Sequence, residues 1–149
     1  MLDAEVAFAG VAGQADLVRR GEVSARELVE LALGRIERLD PEVNAFVAVY
    51  AERARLEAAQ ADARLKAGES RPLLGVPLAV KDEIDIGGEV TSYGTGAMVS
   101  KAPVDAEVVR RLRAAGAIVV LPTTIAPAAR RRRTTSASTG AFDTIAPVP

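Results

Sequence analysis

The sequence predicts an α/β fold in which a helical N-terminal layer precedes the first strands of a mixed or parallel sheet covered by helices. Three helix patterns occupy the first part of the 149-residue chain before any strong strand pattern appears. An apolar run then ends at Lys81, and a glycine-rich loop, an amphipathic helix and a second apolar run follow it. A strand, a crossover helix and a second strand in this order are typical of a parallel sheet covered by helices.

The first two helices are marked by their ends. We expect one helix over about residues 4–20, because basic residues close it and Gly21 follows. Ser24 and Glu27 have the spacing of a capping box, which predicts the start of a second helix. Apolar residues recur behind this box at helical spacing, and Pro41 is expected to end the helix because proline lacks the backbone N–H.

The remaining elements are predicted from composition and from residues that start or end helices. A third helix is predicted from about Val49 to Lys66, since this stretch contains no helix breaker. Farther on, Asp105 is a good N-cap for a helix that Gly116 ends, and the apolar residues 117–121 indicate a fully buried strand. We expect this last strand to have an unpaired, sticky edge, and we therefore predict marginal stability or aggregation.

Lys81 is the most informative single residue. It ends the apolar run 73–80, and acidic residues follow it directly. Two interpretations are open from the residues alone: a structural lysine that reaches the surface from a strand end, or an amine positioned for chemistry. A dry strand end would favour the neutral amine that a lysine general base requires, whereas the neighbouring carboxylates of Asp82 and Glu83 would oppose it.

Composition narrows the chemistry that the chain can perform. Cysteine and histidine are absent, which excludes disulfides, thiolate nucleophiles, imidazole metal sites and a Ser-His-Asp triad within these residues. Lysine is then the leading nitrogen base. The formal net charge is −1 and no apolar run is long enough to cross a bilayer, so neither nucleic acid nor a membrane is an expected partner. The acidic start lacks the basic region of a signal peptide, which favours a cytoplasmic protein.

Two short segments permit a functional and a plain interpretation. The polar loop Thr91–Gly96 is either an anion-binding nest or, as we favour, a loop at the rim of an active site. Asp82, Glu83 and Asp85 could be metal ligands, but a solvated acidic turn fits them better because no other ligand converges on them.

The last part of the chain differs in character. Residues 125–149 are polar, low in complexity and without periodicity, so we expect a disordered tail after a domain spanning residues 1–124. The run Arg130–Arg133 suggests another function, the binding of nucleic acid or another polyanion. No aromatic residues are interleaved with this run, which weakens that alternative.

Several blocks resemble the opening of an amidase-signature enzyme in content, order and approximate spacing. They are Ser24–Val29, Arg35–Glu37, Asn44–Phe46, Leu74–Asp82, Thr91–Thr95 and Asp105–Ala117. The block Gly-Val-Pro-x-x-Val-Lys-Asp is the most specific of them, and the resemblance extends from about residue 5 to Thr124. We therefore interpret residues 1–124 as the N-terminal part of an amidase-signature domain.

The resemblance implies a reaction and a role for Lys81. Family members hydrolyse or transfer amides with a Ser-Ser-Lys triad, in which the lysine acts as a base through a bridging serine and a second serine attacks the carbonyl carbon. The family lysine lies in the matching block, so the resemblance implies that Lys81 descends from the catalytic lysine. The substrate of the full-length relatives would be a small-molecule amide, an acyl urea or a glutaminyl group on transfer RNA. The resemblance implies that the reaction uses no metal and no cofactor.

Neither serine of the triad carries over from the resemblance. The family places them in a later segment rich in glycine and serine, and Ser136–Gly140 lacks the flanking glycines that such a tight loop needs. The family also usually continues with Gly-Lys-Thr where this chain has Leu121-Pro122-Thr123. We expect a chain truncated before both serines, through a frameshift or a premature end, and inactive alone. The alternative is a noncatalytic remnant or a polyanion-binding module that uses the basic tail.

Overall fold

A computed structural model describes residues 3–95, 97 and 100–123 of the chain. Within them the elements are, in order, α1 (Asp3–Phe8), α2 (Gly10–Arg19), α3 (Ala25–Val43), α4 (Ala51–Lys66), β1 (Pro77–Lys81), α5 (Glu107–Ala114) and β2 (Ile118–Thr123). Strands β1 and β2 pair in parallel, with Pro77 opposite Ile118 and Lys81 opposite Thr123. The predicted α/β class, with a helical layer ahead of a parallel strand pair, is confirmed. The expectations for residues 125–149 lie outside the described residues.

The predicted first helix over residues 4–20 is in fact two helices, α1 and α2. They separate at Gly10, whose φ of +71° is a left-handed conformation that glycine adopts without strain. The two helices stay in contact, since Gln14 Nε2 donates to the carbonyl oxygen of Val6 at 3.2 Å. Val6 also packs in one buried cluster with Leu28 of α3. The sequence pattern hides this break because alanine and valine continue on both sides of it.

The N-terminus of α3 has the predicted capping box. Ser24 Oγ accepts from the backbone N–H of Glu27 at 3.1 Å, and the Glu27 carboxylate accepts from the backbone N–H of Ser24 at 2.7 Å. The third predicted helix is also confirmed, since α4 begins two residues after the predicted Val49 and ends at Lys66.

The C-terminus of α3 departs from the prediction. The helix runs through Pro41 to Val43, so the expectation that Pro41 ends it is wrong. Proline removes its own N–H bond at this position, but other groups hold this turn together. Asn44, in the left-handed region at φ 48°, donates its N–H to the Asp40 carbonyl at 2.7 Å, and the Asp40 carboxylate accepts from the N–H of Phe46 at 3.2 Å.

Helices cover both faces of the strand pair. On one face, Ile118 and Val120 of β2 lie in a buried cluster with residues of α3 and α4, including Val29. On the other face, Val119 packs against Val109 of α5. Alternate residues of one strand thus serve two separate cores, as expected for a parallel strand between helical layers. No helix in the described part of the chain is long and apolar enough to cross a membrane.

The second edge of β2 is occupied, so the predicted unpaired edge of this strand is wrong. The backbone N–H of Val47 donates to the carbonyl of Pro122 at 3.1 Å, and that of Tyr50 donates to the carbonyl of Val120 at 2.9 Å. The connector between α3 and α4 therefore lies along β2, and β1 is the outer strand of the described sheet. Sequence periodicity could not reveal this contact because the connector has no regular pattern.

Two glycines allow the segment before β1 to approach its neighbours closely. Gly116 has φ +95°, and a Cβ at this position would lie 2.7 Å from the Cα of Leu74. Its carbonyl accepts from the N–H of Gly75 at 3.0 Å. Gly75 has φ +84°, and its Cβ would lie 2.7 Å from the Cβ of Ala25. These contacts fix where β1 starts relative to both β2 and α3.

The prediction that Asp105 is the N-cap of α5 is wrong. The residue before α5 is Ala106, and no side chain caps the helix. Instead, the Asp105 carboxylate accepts from the N–H of Gly87 at 2.8 Å and lies 3.1 Å from Arg113 Nε. The Asp105 carboxylate binds groups that are distant in the sequence instead of capping the nearby N-terminus of α5. It thereby links the turn that follows β1 to α5.

Candidate active site at the end of β1

Lys81 occupies the last position of β1, where the chain leaves the sheet. Its side chain is 45% exposed, and its Nζ lies 3.0 Å from Glu83 Oε1. The preceding Val80 is 3% exposed, because successive side chains of a strand point to opposite faces. The strand end is therefore not the dry environment that the apolar run suggested. The structure presents an accessible amine paired with a carboxylate.

Asp82, the next residue, points the other way and is only 2% exposed. One carboxylate oxygen accepts from the N–H of Ser92 at 3.0 Å, and the other accepts from the Ser92 hydroxyl. The carbonyl of Asp82 accepts from the N–H of Tyr93 at 3.1 Å. A buried carboxylate is stabilised by several donors at once. Asp82 thus fixes a distant loop against the turn that carries Lys81.

Tyr93 makes a second link between this loop and the acidic turn. Its hydroxyl donates to Asp85 Oδ1 at 3.1 Å, and its backbone is left-handed at φ 50°. The hydrogen bond to Asp85 is the main cause that raises the pKa of Tyr93. Asp82, Glu83 and Asp85 each have a different donor, and within the described residues no group of three carboxylates is arranged to hold a metal ion.

In the described part of the loop Thr91–Gly96, backbone N–H groups donate to acceptors of the same loop. The N–H of Gly94 donates to Ser92 Oγ at 3.3 Å, and the N–H of Thr95 donates to the Ser92 carbonyl at 2.8 Å. These two donors are engaged within the loop, so they do not form an open nest for an anion. The position of the loop beside the turn after Lys81 favours the rim-loop interpretation.

A feature absent from the sequence analysis is a cavity of about 430 Å³ between α1, α2, α3 and the strand pair. We call it the α3 groove. Leu39 of α3, Phe46 of the connector, Pro77 and Ala79 of β1 and Val120 of β2 are among the residues that line it. Pro77 and Ala79 alternate with Lys81 along β1, which places Lys81 on the same face of the strand. The lining residues come from segments far apart in the sequence, so no local pattern encodes the cavity.

Tyr50 is a further residue that sequence reasoning did not single out. It is half-buried against the cluster that contains Val80 and Val119. Burial, followed by the charge of Glu89, raises the pKa of Tyr50 well above its usual value.

Comparison with known families shows a match over most of the chain. The family model Amidase matches residues 27–143. This range contains Lys81 and most of the blocks on which the resemblance rests. It also extends past Thr124, into the residues that composition assigned to a tail.

Curated relatives point to the same family. AmiB2 of Mycobacterium tuberculosis (strain ATCC 25618 / H37Rv) is 49% identical over 137 residues. Its name assigns it provisionally as an amidase. The match covers 92% of this chain and 30% of that protein. A glutamyl-tRNA(Gln) amidotransferase subunit of Halorhodospira halophila is 50% identical over 101 residues, which cover 67% of this chain and 21% of that protein. The chain spans less than a third of the length of these relatives.

Solved structures agree with the sequence relatives. The peptide amidase from Stenotrophomonas maltophilia superposes with a TM-score of 0.72 at 35% identity, over 79% of this chain and 25% of that one. A bacterial aryl acylamidase of the amidase-signature family superposes with a TM-score of 0.67 at 27% identity, over 76% of this chain and 24% of that one. On the family match, the relatives and the fold together, the chain belongs to the amidase family.

Proposed function

We propose that this chain supplies the lysine base of an amide-hydrolysing site, and that Lys81 is that base. The observation that carries the proposal is the position of an accessible amine at the carboxyl end of β1, in the Gly-Val-Pro-x-x-Val-Lys-Asp block. Family membership supports it, because the base of the family's Ser-Ser-Lys triad lies in this block. Asp82 supports it as well, since its bonds to Ser92 fix the turn next to the amine.

The chemistry proceeds by proton relay and acyl transfer. Neutral Lys81 takes a proton from a bridging serine, which takes one from the nucleophilic serine as its oxygen attacks the amide carbon. The C–N bond breaks, the amine or ammonia leaves with a returned proton, and water hydrolyses the acyl-enzyme. A lysine acts as a base only as the free amine.

The two serines and the oxyanion donors are not assigned to residues of this chain. We propose that the chain alone is inactive and that the rest of the site comes from residues that follow in a full-length relative. The substrate class is a small-molecule carboxamide, the reaction needs no metal or cofactor, and the protein acts in the cytoplasm. Names among the relatives include both amidases and an amidotransferase, so the ammonia set free from the carboxamide is either released or passed to a second acceptor.

A chimera tests the role of Lys81. Residues 27–143 replace the matched region of AmiB2, and turnover of aliphatic and aromatic amides is compared with that of Lys81→Ala and Lys66→Ala chimeras. Lys66 is an exposed lysine at the end of α4 and serves as the matched control. Loss of a general base lowers kcat by about 10²-fold to 10⁴-fold, whereas Lys66→Ala should have no effect. Equal activity in both variants, or an inactive but normally folded parent chimera, would refute the proposal.

The unmodified chain is assayed in parallel. We expect no turnover of either amide class. Turnover that disappears with Lys81→Ala would show instead that this chain holds a complete site. A salt-sensitive shift of nonspecific DNA at low ionic strength would favour the polyanion-binding alternative based on Arg130–Arg133.

A further inference from the structure

The α3 groove presents an apolar surface, because its polar side chains already have partners. Apart from Gln14, Arg35 and Asp40, every residue that lines it is apolar. The Gln14 amide donates to the carbonyl of Val6, and the Arg35 guanidinium lies 5.0 Å from the centre of the Phe8 ring. The Asp40 carboxylate accepts backbone N–H groups at the end of α3. An occupant of the groove is therefore held mainly by apolar contact.

The elements around the groove also expose large hydrophobic side chains. Nine such side chains are exposed in the described part of the chain, and five of them lie on elements that line the groove. These five are Phe8 of α1, Val11 of α2, Leu39 and Val43 of α3, and Val47 of the connector. Single exposed apolar residues are common on protein surfaces, but several of them beside an apolar cavity mark an interaction surface.

β1 is less buried than its sequence pattern predicts. A nearly continuous apolar run is typical of a parallel strand that is covered on both faces, and residues 118–120 of β2 are indeed at most 2% exposed. In β1 only Val80 is buried, and Ala79 in the middle of the strand is exposed. Within the described residues β1 pairs with β2 alone, so the N–H and C=O groups of its outer edge are open to a further strand. Pro77–Ala79 also line the α3 groove, which makes the groove continuous with this edge.

The relatives indicate what covers this surface. The chain spans less than a third of their length, and it superposes on the peptide amidase over 79% of its own length. The same fold therefore exists inside much longer proteins, whose other parts must pack against some of its surface. Such packing is most favourable where apolar area is removed from water, and the α3 groove with the edge of β1 offers both apolar area and free strand groups.

We propose that the α3 groove and the outer edge of β1 bind the part of an amidase-family domain that this chain does not contain. A strand of that part would lie along β1, about 4.8 Å away, and its apolar side chains would fill the groove. Because Lys81 ends β1, this pairing would bring residues of the partner beside the amine. The inference rests on the proposed function only in that a further part of the domain completes the site. It does not depend on Lys81 being the base.

Co-expression tests this docking. The full chain carries an affinity tag, and the probe is AmiB2 from which the 137 residues matched by this chain have been removed. Docking predicts that the two proteins elute together from a size-exclusion column as a one-to-one complex. The test variant is Ala79→Glu, which places a carboxylate in the middle of the surface. The matched control is Val108→Glu, because Val108 is 46% exposed on α5, which covers the opposite face of the sheet.

Ala79→Glu should lower the amount of recovered probe at least about tenfold, because burying an unpaired carboxylate is costly, whereas Val108→Glu should recover as much as the parent chain. Thiol labelling gives a second measurement, since the natural sequence contains no cysteine. Ala79→Cys should react at least about tenfold more slowly in the complex than in the isolated chain, and Val108→Cys should react equally in both. The intact mass of this chain gives each labelling rate.

A probe that does not elute with the parent chain would overturn the proposal. Equal effects of the two glutamate substitutions, or equal labelling of Ala79→Cys with and without the probe, would place the partner elsewhere and would also overturn it. A homodimer of the isolated chain that Ala79→Glu disrupts would assign the surface to a second copy instead. A complex that forms as predicted but hydrolyses no amide would contradict the proposed role of Lys81 and leave the docking intact.

Discussion

The hydroxyl and the N–H of Ser92 both donate to the carboxylate of Asp82, the buried residue that directly follows Lys81. This contact joins positions ten residues apart and places a loop beside the proposed base. The amine and the carboxylate of the Lys-Asp pair therefore have opposite environments, one exposed and one buried. Position 82 is the structural member of the pair, and position 81 presents an accessible amine.

Replacing Asp82 by alanine should destabilise the protein. The change removes the acceptor for two donors of Ser92 and leaves a cavity, so we expect the free energy of unfolding to fall by about 1–3 kcal/mol. Urea denaturation followed by circular dichroism measures this. Glu83→Gln is the control, since Glu83 forms only a half-exposed ion pair and should change stability by less than about 0.5 kcal/mol. Equal effects of the two changes would contradict the assignment.

Two glycine substitutions should have opposite effects. Gly116→Ala forces a side chain into φ +95° and to within 2.7 Å of the Leu74 backbone, so we expect a loss of more than about 1 kcal/mol. Gly34→Ala lies inside α3 with nothing within 4 Å of the added Cβ, so it should stabilise by about 0.5–1 kcal/mol. Thermal melts of the two variants distinguish these signs. A stable Gly116→Ala protein would mean that the segment before β1 does not pack as described.

Acid should weaken the fold through surface carboxylates. The hydrogen bond from Arg64 lowers the pKa of Glu69 to about 2, and the hydrogen bond from Arg110 does the same for Glu107. Both folded pKa values lie below the unfolded value near 4.5, so the unfolded chain binds more protons between these pH values. The stability that these pairs add is present above pH 4.5 and is lost as the pH falls toward 2.

Melting temperatures between pH 2 and pH 6 measure this loss, with Glu69→Gln and Glu107→Gln compared with the parent. Each variant should show a shallower fall of melting temperature with acid. Because the groups are exposed, added salt should shrink the difference. An acid slope that neither substitution alters would assign the effect to other carboxylates.

The two tyrosines should ionise late in the folded protein. Burial raises the pKa of Tyr50, and the hydrogen bond to Asp85 raises that of Tyr93. A tyrosine whose folded pKa exceeds its unfolded pKa adds stability below about pH 10, and this stability is lost as the pH rises further. Ultraviolet difference absorbance of the phenolate should show Tyr50 ionising only with unfolding. Tyr93→Phe isolates Tyr50, and an early transition in that variant would contradict its burial.

Features that depend on contacts between residues close in the sequence were mostly predictable, whereas features that depend on contacts between distant residues were not. The capping box of Ser24 and Glu27 involves residues three positions apart, and it was predicted correctly. Asp105 has a good N-cap sequence, but its carboxylate binds Gly87, eighteen residues away, which propensity alone cannot show. Pro41 stays within α3 because the Asp40 carboxylate holds the turn after it. The rule that proline ends a helix therefore failed because of its direct neighbour in the sequence.

The candidate site likewise combines features that the sequence predicts with features that depend on distant contacts. The position of Lys81 at a strand end was evident from the apolar run and from family resemblance. Its exposure and its pairing with Glu83 depend on where the turn after β1 folds, which Ser92 and Tyr93 determine from a separate loop. The α3 groove was not foreseeable, since residues from three helices, the connector and both strands line it.

The contact of the α3–α4 connector with β2 has a consequence for the order in which the chain assembles during synthesis. Val47 and Tyr50 leave the ribosome some seventy residues before the carbonyls of Val120 and Pro122 to which they donate. The helices can form early because their contacts are local, but both neighbours of β2 must wait for it. β1 therefore acquires its partner only when residue 123 has been made. The lysine at its end is translated well before the strand that fixes it in place.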